Sequence, residues 1–213
     1  TLFFRGTYQG VVIDNTTETD PAVLNASGSG SASYTAVLIQ PSGGAARTIS
    51  GAIAAGSPLI DLNGADNVTI DGLNSGGNSL TIANTTVAAT SGTSTIRFIG
   101  GATNNTITNS TIQGSGAMSV ATNGAVIFFS TDGVTPNGND NNTISNNTIG
   151  PAGANLPTKA ILGNGSTTTT ALGNSGIVIT NNNIYDYFGA AVTSSGIAIN
   201  GGCNTWSITN NRF

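Results

Sequence analysis

The pentapeptide Asn105-Thr106-Ile107-Thr108-Asn109 decides the fold, because close variants of it recur along the chain. The variants are Asn142-Thr143-Ile144-Ser145-Asn146, Ile177-Val178-Ile179-Thr180-Asn181 and Trp206-Ser207-Ile208-Thr209-Asn210. An extended strand would point the central isoleucine to one side and its two neighbours to the other. The asparagine that follows can adopt a left-handed backbone conformation and turn the chain. Such repetition predicts stacked units that bury a core only against their neighbours.

Two apolar strands define each predicted unit, and the pattern predicts seven units. The first strands are Leu2–Phe4, Val37–Ile39, Leu59–Leu62, Ile96–Phe98, Val126–Phe129, Ala160–Leu162 and Ile197–Ile199. The second strands centre on isoleucines 36, 21, 37, 37, 35 and 29 residues apart, namely Ile13, Ile49, Ile70, Ile107, Ile144, Ile179 and Ile208. The runs are rich in Ile, Val, Thr and Phe and lack helical spacing. We therefore predict an all-β, right-handed parallel β-helix of about seven coils, with no substantial helix, as one domain over residues 1–213.

Longer intervals between strands predict where the solenoid carries insertions. Segments 14–33, 130–141 and 163–176 are expected to protrude, and the last two should lie side by side. An asparagine ladder with amides hydrogen-bonded along the axis is expected at Asn109, Asn146, Asn181 and Asn210. Asp61 and Arg97 should form an exposed ion pair between consecutive coils, which contributes only about 0–1 kcal/mol.

Composition excludes several classes of function. Only 7% of the 213 residues are charged and the net charge is −4, so the chain lacks the basic surface that nucleic-acid binding requires. No apolar run approaches the roughly 18 residues of a membrane-spanning helix. The single cysteine, Cys203, excludes an internal disulfide framework. A surface of Thr, Ser, Asn and Gly suits an extracellular or cell-surface protein that is held in an assembly or coated with sugar. Nine Asn-x-Ser/Thr sequons are close to the number that this composition gives by chance, so they are weak evidence for N-glycans.

The run Asn141–Ile149, Asn-Asn-Thr-Ile-Ser-Asn-Asn-Thr-Ile, resembles the right-handed parallel β-helix repeat proteins that bacteria secrete, which share the pectin-lyase-like architecture. The resemblance covers the whole chain in pattern and is most specific from residue 67 onward. It implies a secreted, Thr/Asn/Gly-rich surface or fibre protein. The superfamily also includes polysaccharide lyases, glycoside hydrolases, phage tailspikes and adhesins, so the shared architecture does not choose a function.

The sequence contains one acidic cluster that could carry catalysis. Asp61, Asp66 and Asp71, with Arg97 beside Asp61, could resemble the acid-plus-arginine groove of a lyase. The alternative, which we favour, is an ion pair and two turn residues. The chain has no histidine, and its only lysine, Lys159, is expected to stand alone.

The insertion at 130–141 carries hard oxygen ligands that suit Ca²⁺, but these lack the spacing of a calcium loop: Asp132, Asn137, Asn139 and Asp140. A solvated loop is the favoured interpretation. We therefore predict no enzyme activity, no metal and no cofactor.

The two ends of the solenoid carry the functional prediction. One contact surface is predicted at Leu2, Phe3, Phe4 and Ile13, and the other at Ile199, Ile208 and Phe213. Exposed apolar side chains and unpaired strand edges are costly, so we expect a segment or mature subunit that stacks head to tail on itself into a filament or stalk.

Two alternatives to the filament stay open. A carbohydrate-binding or adhesive β-helix would use Trp206 to stack on a glycan, although a packing role for this residue is favoured. A polysaccharide lyase or hydrolase is the second alternative.

Overall fold

The computed structural model describes residues 5–134 and 137–213, with side chains from Ile13 onward. Its strands, in chain order, are β1 (Arg5–Ile13), β2 (Thr16–Glu18), β3 (Ala22–Asn25), β4 (Ser33–Pro41), β5 (Ala46–Gly51), β6 (Pro58–Asn63), β7 (Val68–Asp71), β8 (Ser79–Asn84), β9 (Ser94–Ile99), β10 (Thr106–Thr108), β11 (Ser110–Gly114), β12 (Ala125–Phe129), β13 (Thr143–Ser145), β14 (Thr148–Pro151), β15 (Lys159–Gly163), β16 (Asn174–Ser175), β17 (Val178–Thr180), β18 (Asn183–Ile184), β19 (Ser195–Ile199), β20 (Cys203–Asn204) and β21 (Ser207–Thr209). Within the described ranges the only helical element is a 3-10 turn at Thr170–Leu172. No helix of this described part is long and apolar enough to cross a membrane.

Nineteen of the 21 described strands form three long parallel sheets that run along one axis, and β16 and β20 pair with each other in a short fourth sheet. Sheet A has the order β1-β4-β7-β10-β13-β17-β21, sheet B β18-β14-β11-β8-β5-β2, and sheet C β19-β15-β12-β9-β6-β3. The chain passes from sheet A to B to C and then returns to A one rung further along. The protein is therefore an all-β parallel solenoid, as the sequence predicted. The predicted count of seven coils is wrong, because the solenoid makes about five turns.

Each coil has three strands and not the two that the sequence predicted. Ile49 belongs to sheet B, where it pairs with Ile82, and not to the column of Ile70. Ile39 is the residue that pairs with Ile70 in sheet A. The interval of only 21 residues between Ile49 and Ile70 reflects this difference, since these two isoleucines lie on different sheets.

Asparagines in the left-handed conformation form the corner between sheets A and B. Asn109, Asn146 and Asn181 have φ angles of 52°, 56° and 57°. Ile107 and Ile112 lie on either side of this corner, five residues apart. Because side chains alternate along a straight strand, two residues five apart would point to opposite faces. Both are fully buried. The left-handed residue turns the chain so that the second isoleucine points inward again.

The three predicted insertions differ in structure. Segment 14–33 is not one irregular loop, because it contains β2 and β3, which pair with β5 and β6. Segments 130–141 and 163–176 do lie side by side. The amide of Asn139 donates to Oδ1 of Asn174 at 3.1 Å, and the amide of Ser175 donates to Oδ1 of Asp140 at 2.7 Å.

Inward columns of apolar residues fill the bore of the solenoid. The sheet A column runs through Ile70, Ile107, Ile144 and Ile179, and the sheet B column through Ile82, Ile112, Ile149 and Ile184. All of these are fully buried. In sheet C the column includes Leu62, Phe98 and Phe129, and the last two rings stack with centroids 4.4 Å apart. In each column, residues at the same register position on successive rungs are therefore apolar and stack on one another.

Candidate functional site

The last described rung presents apolar residues from sheets A and C, together with a third from the segment that follows β21. Ile208 pairs with Ile179 in sheet A, and Ile199 pairs with Gly163 in sheet C. Phe213 follows a residue that bridges to Asn183, so it occupies the position after Ile184 in the sheet B column. We call Ile199, Ile208 and Phe213 the C-terminal end face. The sequence placed these three residues on one contact surface, and the structure brings them to the same end.

Residues of the C-terminal end face are much more exposed than the residues at the same register position in the core. Ile179 is fully buried, whereas Ile208, the same residue type at the same register one rung further on, is 40% exposed. Ile199 is 45% exposed and Phe213 is 62% exposed. The ring of Phe213 leans over Gly196, with an atom 2.7 Å from the position that a Cβ would occupy there. Most of its surface remains in contact with solvent.

Strand edges accompany these side chains. In the described chain β21 pairs with β17 alone and β19 with β15 alone, so the outer edge of each strand carries backbone N–H and C=O groups available for pairing. Open edges of this kind are templates for the addition of another strand.

The opposite end is only partly within the described residues. Leu2, Phe3 and Phe4 lie outside them. Ile13 is half-buried and packs against the core, but its register partner is Pro41, so it does not begin the isoleucine column of sheet A. Leu24, which pairs with Leu62 and is half-buried against the core, begins the sheet C column instead. Sequence reasoning missed Leu24 because it lies in the segment that was expected to protrude.

The asparagine ladder lies one residue after the predicted positions. The predicted residues Asn109, Asn146, Asn181 and Asn210 are the left-handed corner residues, all with positive φ. The next residue is the one that points inward at each rung. Oδ1 of Asn147 accepts from the amide of Ser110 at 3.0 Å, and Oδ1 of Asn182 accepts from the amide of Asn147 at 2.9 Å. Oδ1 of Asn211 continues the ladder by accepting from the amide of Asn182 at 3.0 Å.

Further ladders line the corner between sheets C and A. The amide of Val68 donates to Oδ1 of Asn105 at 2.8 Å, and the amide of Asn105 donates to Oδ1 of Asn142 at 2.9 Å. Asn139 and Asn174 form a similar pair. These side chains are buried, and no buried side-chain polar atom of the described residues lacks a hydrogen-bond partner. The inward asparagines therefore satisfy the corner backbone that the turns leave open.

Trp206 packs inside the solenoid. Its Nε1 donates to the carbonyl of Asn174 at 3.0 Å, and its ring meets that of Phe129 edge-on with centroids 5.3 Å apart. Gly163 makes room for it, since an indole atom lies 2.6 Å from where a Cβ would stand. The indole nitrogen of Trp206 is therefore already hydrogen-bonded, and its ring already packs against another aromatic ring, so the side chain is less available to a glycan.

The Asp61–Arg97 pair forms as predicted, but it is not exposed. Nε of Arg97 donates to Oδ1 of Asp61 at 2.9 Å, and its Nη2 lies 2.7 Å from Oδ2. Asp61 is buried at 6% exposure. A bidentate pair with a buried carboxylate is a stronger contact than the surface ion pair that the sequence suggested.

The other two carboxylates of the acidic group hold turns. Oδ1 of Asp66 accepts from the amide and the hydroxyl of Thr103, both at 2.7 Å. Oδ1 of Asp71 accepts from the amide of Leu73 at 2.9 Å and from Nδ2 of Asn109 at 2.8 Å.

Desolvation, with a smaller contribution from the charge of Asp66, raises the pKa of Tyr34 to about 12.

Lys159 and Cys203 are held by local contacts. Nζ of Lys159 donates to the carbonyl of Thr122 at 2.8 Å and to that of Val120 at 3.3 Å, and burial lowers its pKa. Desolvation raises the pKa of the half-buried Cys203 thiol. Neither side chain faces an acid and base arrangement of the kind that a nucleophile requires.

The suggested calcium ligands are divided between the core and the solvent. Asn139 is buried in its ladder, and Oδ1 of Asp140 bonds to Ser175. Asn137 is exposed. Residues 5–134 and 137–213 contain no group of three or more His, Cys, Asp or Glu residues that could hold a metal ion. The cavity between sheets B and C, near Asn84 and Thr95, measures about 10 Å³, the size of one water molecule.

Comparison with known proteins assigns no family. No family model matches the chain, and neither a curated protein nor a solved structure does. The parallel β-solenoid architecture stands on the structure itself.

Proposed function

We propose that this chain is a structural subunit or segment of a bacterial extracellular fibre or surface stalk, and that it assembles head to tail through the ends of its solenoid. The observation that carries the proposal is the C-terminal end face, where Ile208 of sheet A, Ile199 of sheet C and the nearby Phe213 are exposed beside buried apolar columns. A second copy of the chain is the partner, with its first coil placed on this face. Because the two contacting surfaces differ, such an interface can repeat without closing.

The mechanism is the continuation of three sheets across the junction. Strand β21 would gain a parallel partner in sheet A, and β19 would gain one in sheet C. Ile199 would meet the start of the sheet C column, which Leu24 forms at the other end of the described chain. Each apolar column would then continue from one subunit into the next.

The energy of this contact favours concentration-dependent assembly. Burying the exposed parts of Ile199, Ile208 and Phe213 contributes about 1 kcal/mol each, or roughly 3 kcal/mol together. Each backbone hydrogen bond of a continued ladder adds about 0.5–1.5 kcal/mol. Association costs about 4–15 kcal/mol in lost freedom of motion. The apolar residues alone do not offset that cost, so the ladders of the sheets must contribute a large share.

The remaining surface supports an extracellular setting. The chain has five basic and nine acidic residues among 213, so polar uncharged groups dominate its exterior. Few charges means little electrostatic repulsion between copies that approach end to end. The resemblance to secreted β-helix repeat proteins points to the same bacterial, extracellular setting.

Carbohydrate binding and polysaccharide cleavage are the weaker candidates. The ring and Nε1 of Trp206 are engaged with Phe129 and Asn174. Arg97 already forms a bidentate pair with Asp61, so its guanidinium is engaged within the fold. We therefore propose a non-enzymatic role without cofactor or metal.

Sedimentation velocity over a range of concentrations tests the proposal. The sedimentation coefficient of the native chain should rise with concentration, and Ile208→Asp should abolish that rise because it places a charge in the junction. Thr209→Asp is the matched control, since Thr209 is exposed on the same strand and points away from the bore. A native chain of constant sedimentation coefficient would refute the proposal. Equal loss of assembly in Thr209→Asp would show that charge, and not the end face, is responsible.

A further inference from the structure

The chain contains five Asn-Gly dipeptides, at 63–64, 123–124, 137–138, 164–165 and 200–201. This dipeptide is prone to succinimide formation, in which the backbone nitrogen of the glycine attacks the side-chain carbonyl of the asparagine. Glycine allows the approach because it has no side chain. The fold places these chemically identical dipeptides in different environments, and so it determines which of them can react.

Two of the five are held by hydrogen bonds between coils. The amide of Gly64 donates to the carbonyl of Ile99 at 2.8 Å, and the amide of Gly165 donates to the carbonyl of Gly201 at 3.1 Å. Nδ2 of Asn63 also donates to Oδ1 of Asn25 at 3.0 Å. The attacking nitrogen at both sites must first leave its ladder, which requires a local opening of the solenoid.

Asn200–Gly201 lies in the turn from sheet C to sheet A of the last described coil. Both residues are exposed. The amide of Asn200 is fixed, because it donates to the carbonyl of Gly163 at 2.9 Å. Within residues 5–134 and 137–213 neither the carboxamide of Asn200 nor the amide of Gly201 has a hydrogen-bond partner. The electrophile and the nucleophile are therefore both available without a local opening.

Asn123–Gly124 is less suited to the reaction. The carbonyl of Asn123 accepts from the amide of Gly92 at 2.6 Å and from the hydroxyl of Ser91 at 3.1 Å. Gly124 is buried, and the carbonyl of Thr93 lies 2.7 Å from where its Cβ would stand. The peptide plane that must rotate for ring closure is held on both sides.

We propose that Asn200–Gly201 is a site of spontaneous succinimide formation, which converts Asn200 to a mixture of aspartate and isoaspartate. A base in the solvent removes the amide proton of Gly201, and the nitrogen forms a bond to Cγ of Asn200. The bond from Cγ to Nδ2 breaks, and ammonia leaves after it takes up a proton. Water then opens the ring at either carbonyl. Ile199 of the C-terminal end face directly precedes Asn200, so the new carboxylate lies beside that face.

Peptide mapping of the aged, folded chain tests the inference. The native protein is incubated in mildly alkaline buffer, digested after aromatic residues, and isoaspartate is quantified at Asn200, Asn63 and Asn164. The hydrogen bond that must first open at Asn63 and Asn164 predicts about fivefold more product at Asn200 than at either of the other two. The same incubation in guanidinium chloride should bring the ratio close to one, because the ladders are then absent.

Ammonia release provides a second, independent readout. Asn200→Gln, an exposed substitution, should lower the fast phase of ammonia release from the folded chain, to which the exposed Asn137 can also contribute. The inference is overturned if Asn63 or Asn164 reacts as fast as Asn200 in the folded protein, or if the amplitude of the fast phase is unchanged in Asn200→Gln. It is also overturned if the excess at Asn200 persists in denaturant, since the selectivity would then come from the local sequence and not from the fold.

Discussion

Replacement of Asn147 by alanine tests the inward asparagine ladder most sharply. Asn147 is buried at 2% exposure. Its Oδ1 accepts from the amide of Ser110 at 3.0 Å, and its Nδ2 donates to the carbonyl of Ile107 at 2.9 Å. Truncation leaves the buried amide of Ser110 unpaired, at a cost of about 1–3 kcal/mol, and removes one hydrogen bond to the carbonyl of Ile107, which lies on the β10–β13 ladder. The free energy of unfolding should therefore fall by about 2–4 kcal/mol. That is a large fraction of the roughly 5–15 kcal/mol that stabilises a typical domain.

Asn146 supplies the matched control one residue earlier. It is exposed, with a φ of 56° that glycine adopts without strain. Asn146→Gly should therefore change the free energy of unfolding by less than about 1 kcal/mol. Urea denaturation followed by circular dichroism measures both variants, with the slope m unchanged if the unfolded states are alike. The reasoning is refuted if Asn146→Gly costs as much as Asn147→Ala, because the ladder would then lie at the position that the sequence predicted.

Three further predictions concern packing, charge and pH. Gly163→Ala should destabilise the chain by about 1–3 kcal/mol in urea denaturation, because the new methyl group overlaps the indole of Trp206. Trp206→Phe should recover part of that loss in the double variant, and strictly additive effects would contradict the contact. Arg97→Met should cost about 3–5 kcal/mol in the same assay, because it leaves the buried carboxylate of Asp61 without its partner, and a cost under 1 kcal/mol would mean that the pair is solvated. Between pH 10 and 12 the unfolded chain releases the proton of Tyr34 before the folded chain does, so stability should fall as pH rises, by about 2–3 kcal/mol in total. Tyr34→Phe should lack this part of the decline in denaturation curves measured across that range, and an unchanged decline would exclude Tyr34 as its source.

The sequence was sufficient to predict a solenoid, but not to predict which sheet each strand joins. Thr48-Ile49-Ser50 and Thr143-Ile144-Ser145 are the same tripeptide, yet the first lies in sheet B and the second in sheet A. A single inward isoleucine carries no information about which sheet it faces. The residue after the tripeptide does indicate the sheet, because Asn146 is a left-handed corner residue and Gly51 is not.

The one-residue error in the ladder has a related cause. Asn146 and Asn147 are adjacent asparagines, and either could in principle stack along the axis. The position after a left-handed residue is the one that turns inward, so only Asn147 can reach the backbone of the neighbouring coil. A recurring Asn-Asn or Asn-Ser pair after each isoleucine was the available signal.

Negative-stain electron microscopy of the purified chain at increasing concentration tests the central proposal most directly. Stacked solenoids should appear as unbranched rods that lengthen with concentration, in steps set by a rise of about 4.8 Å per coil and thus roughly 25 Å or more per subunit. Short particles of a single length at every concentration would contradict head-to-tail assembly through the end faces.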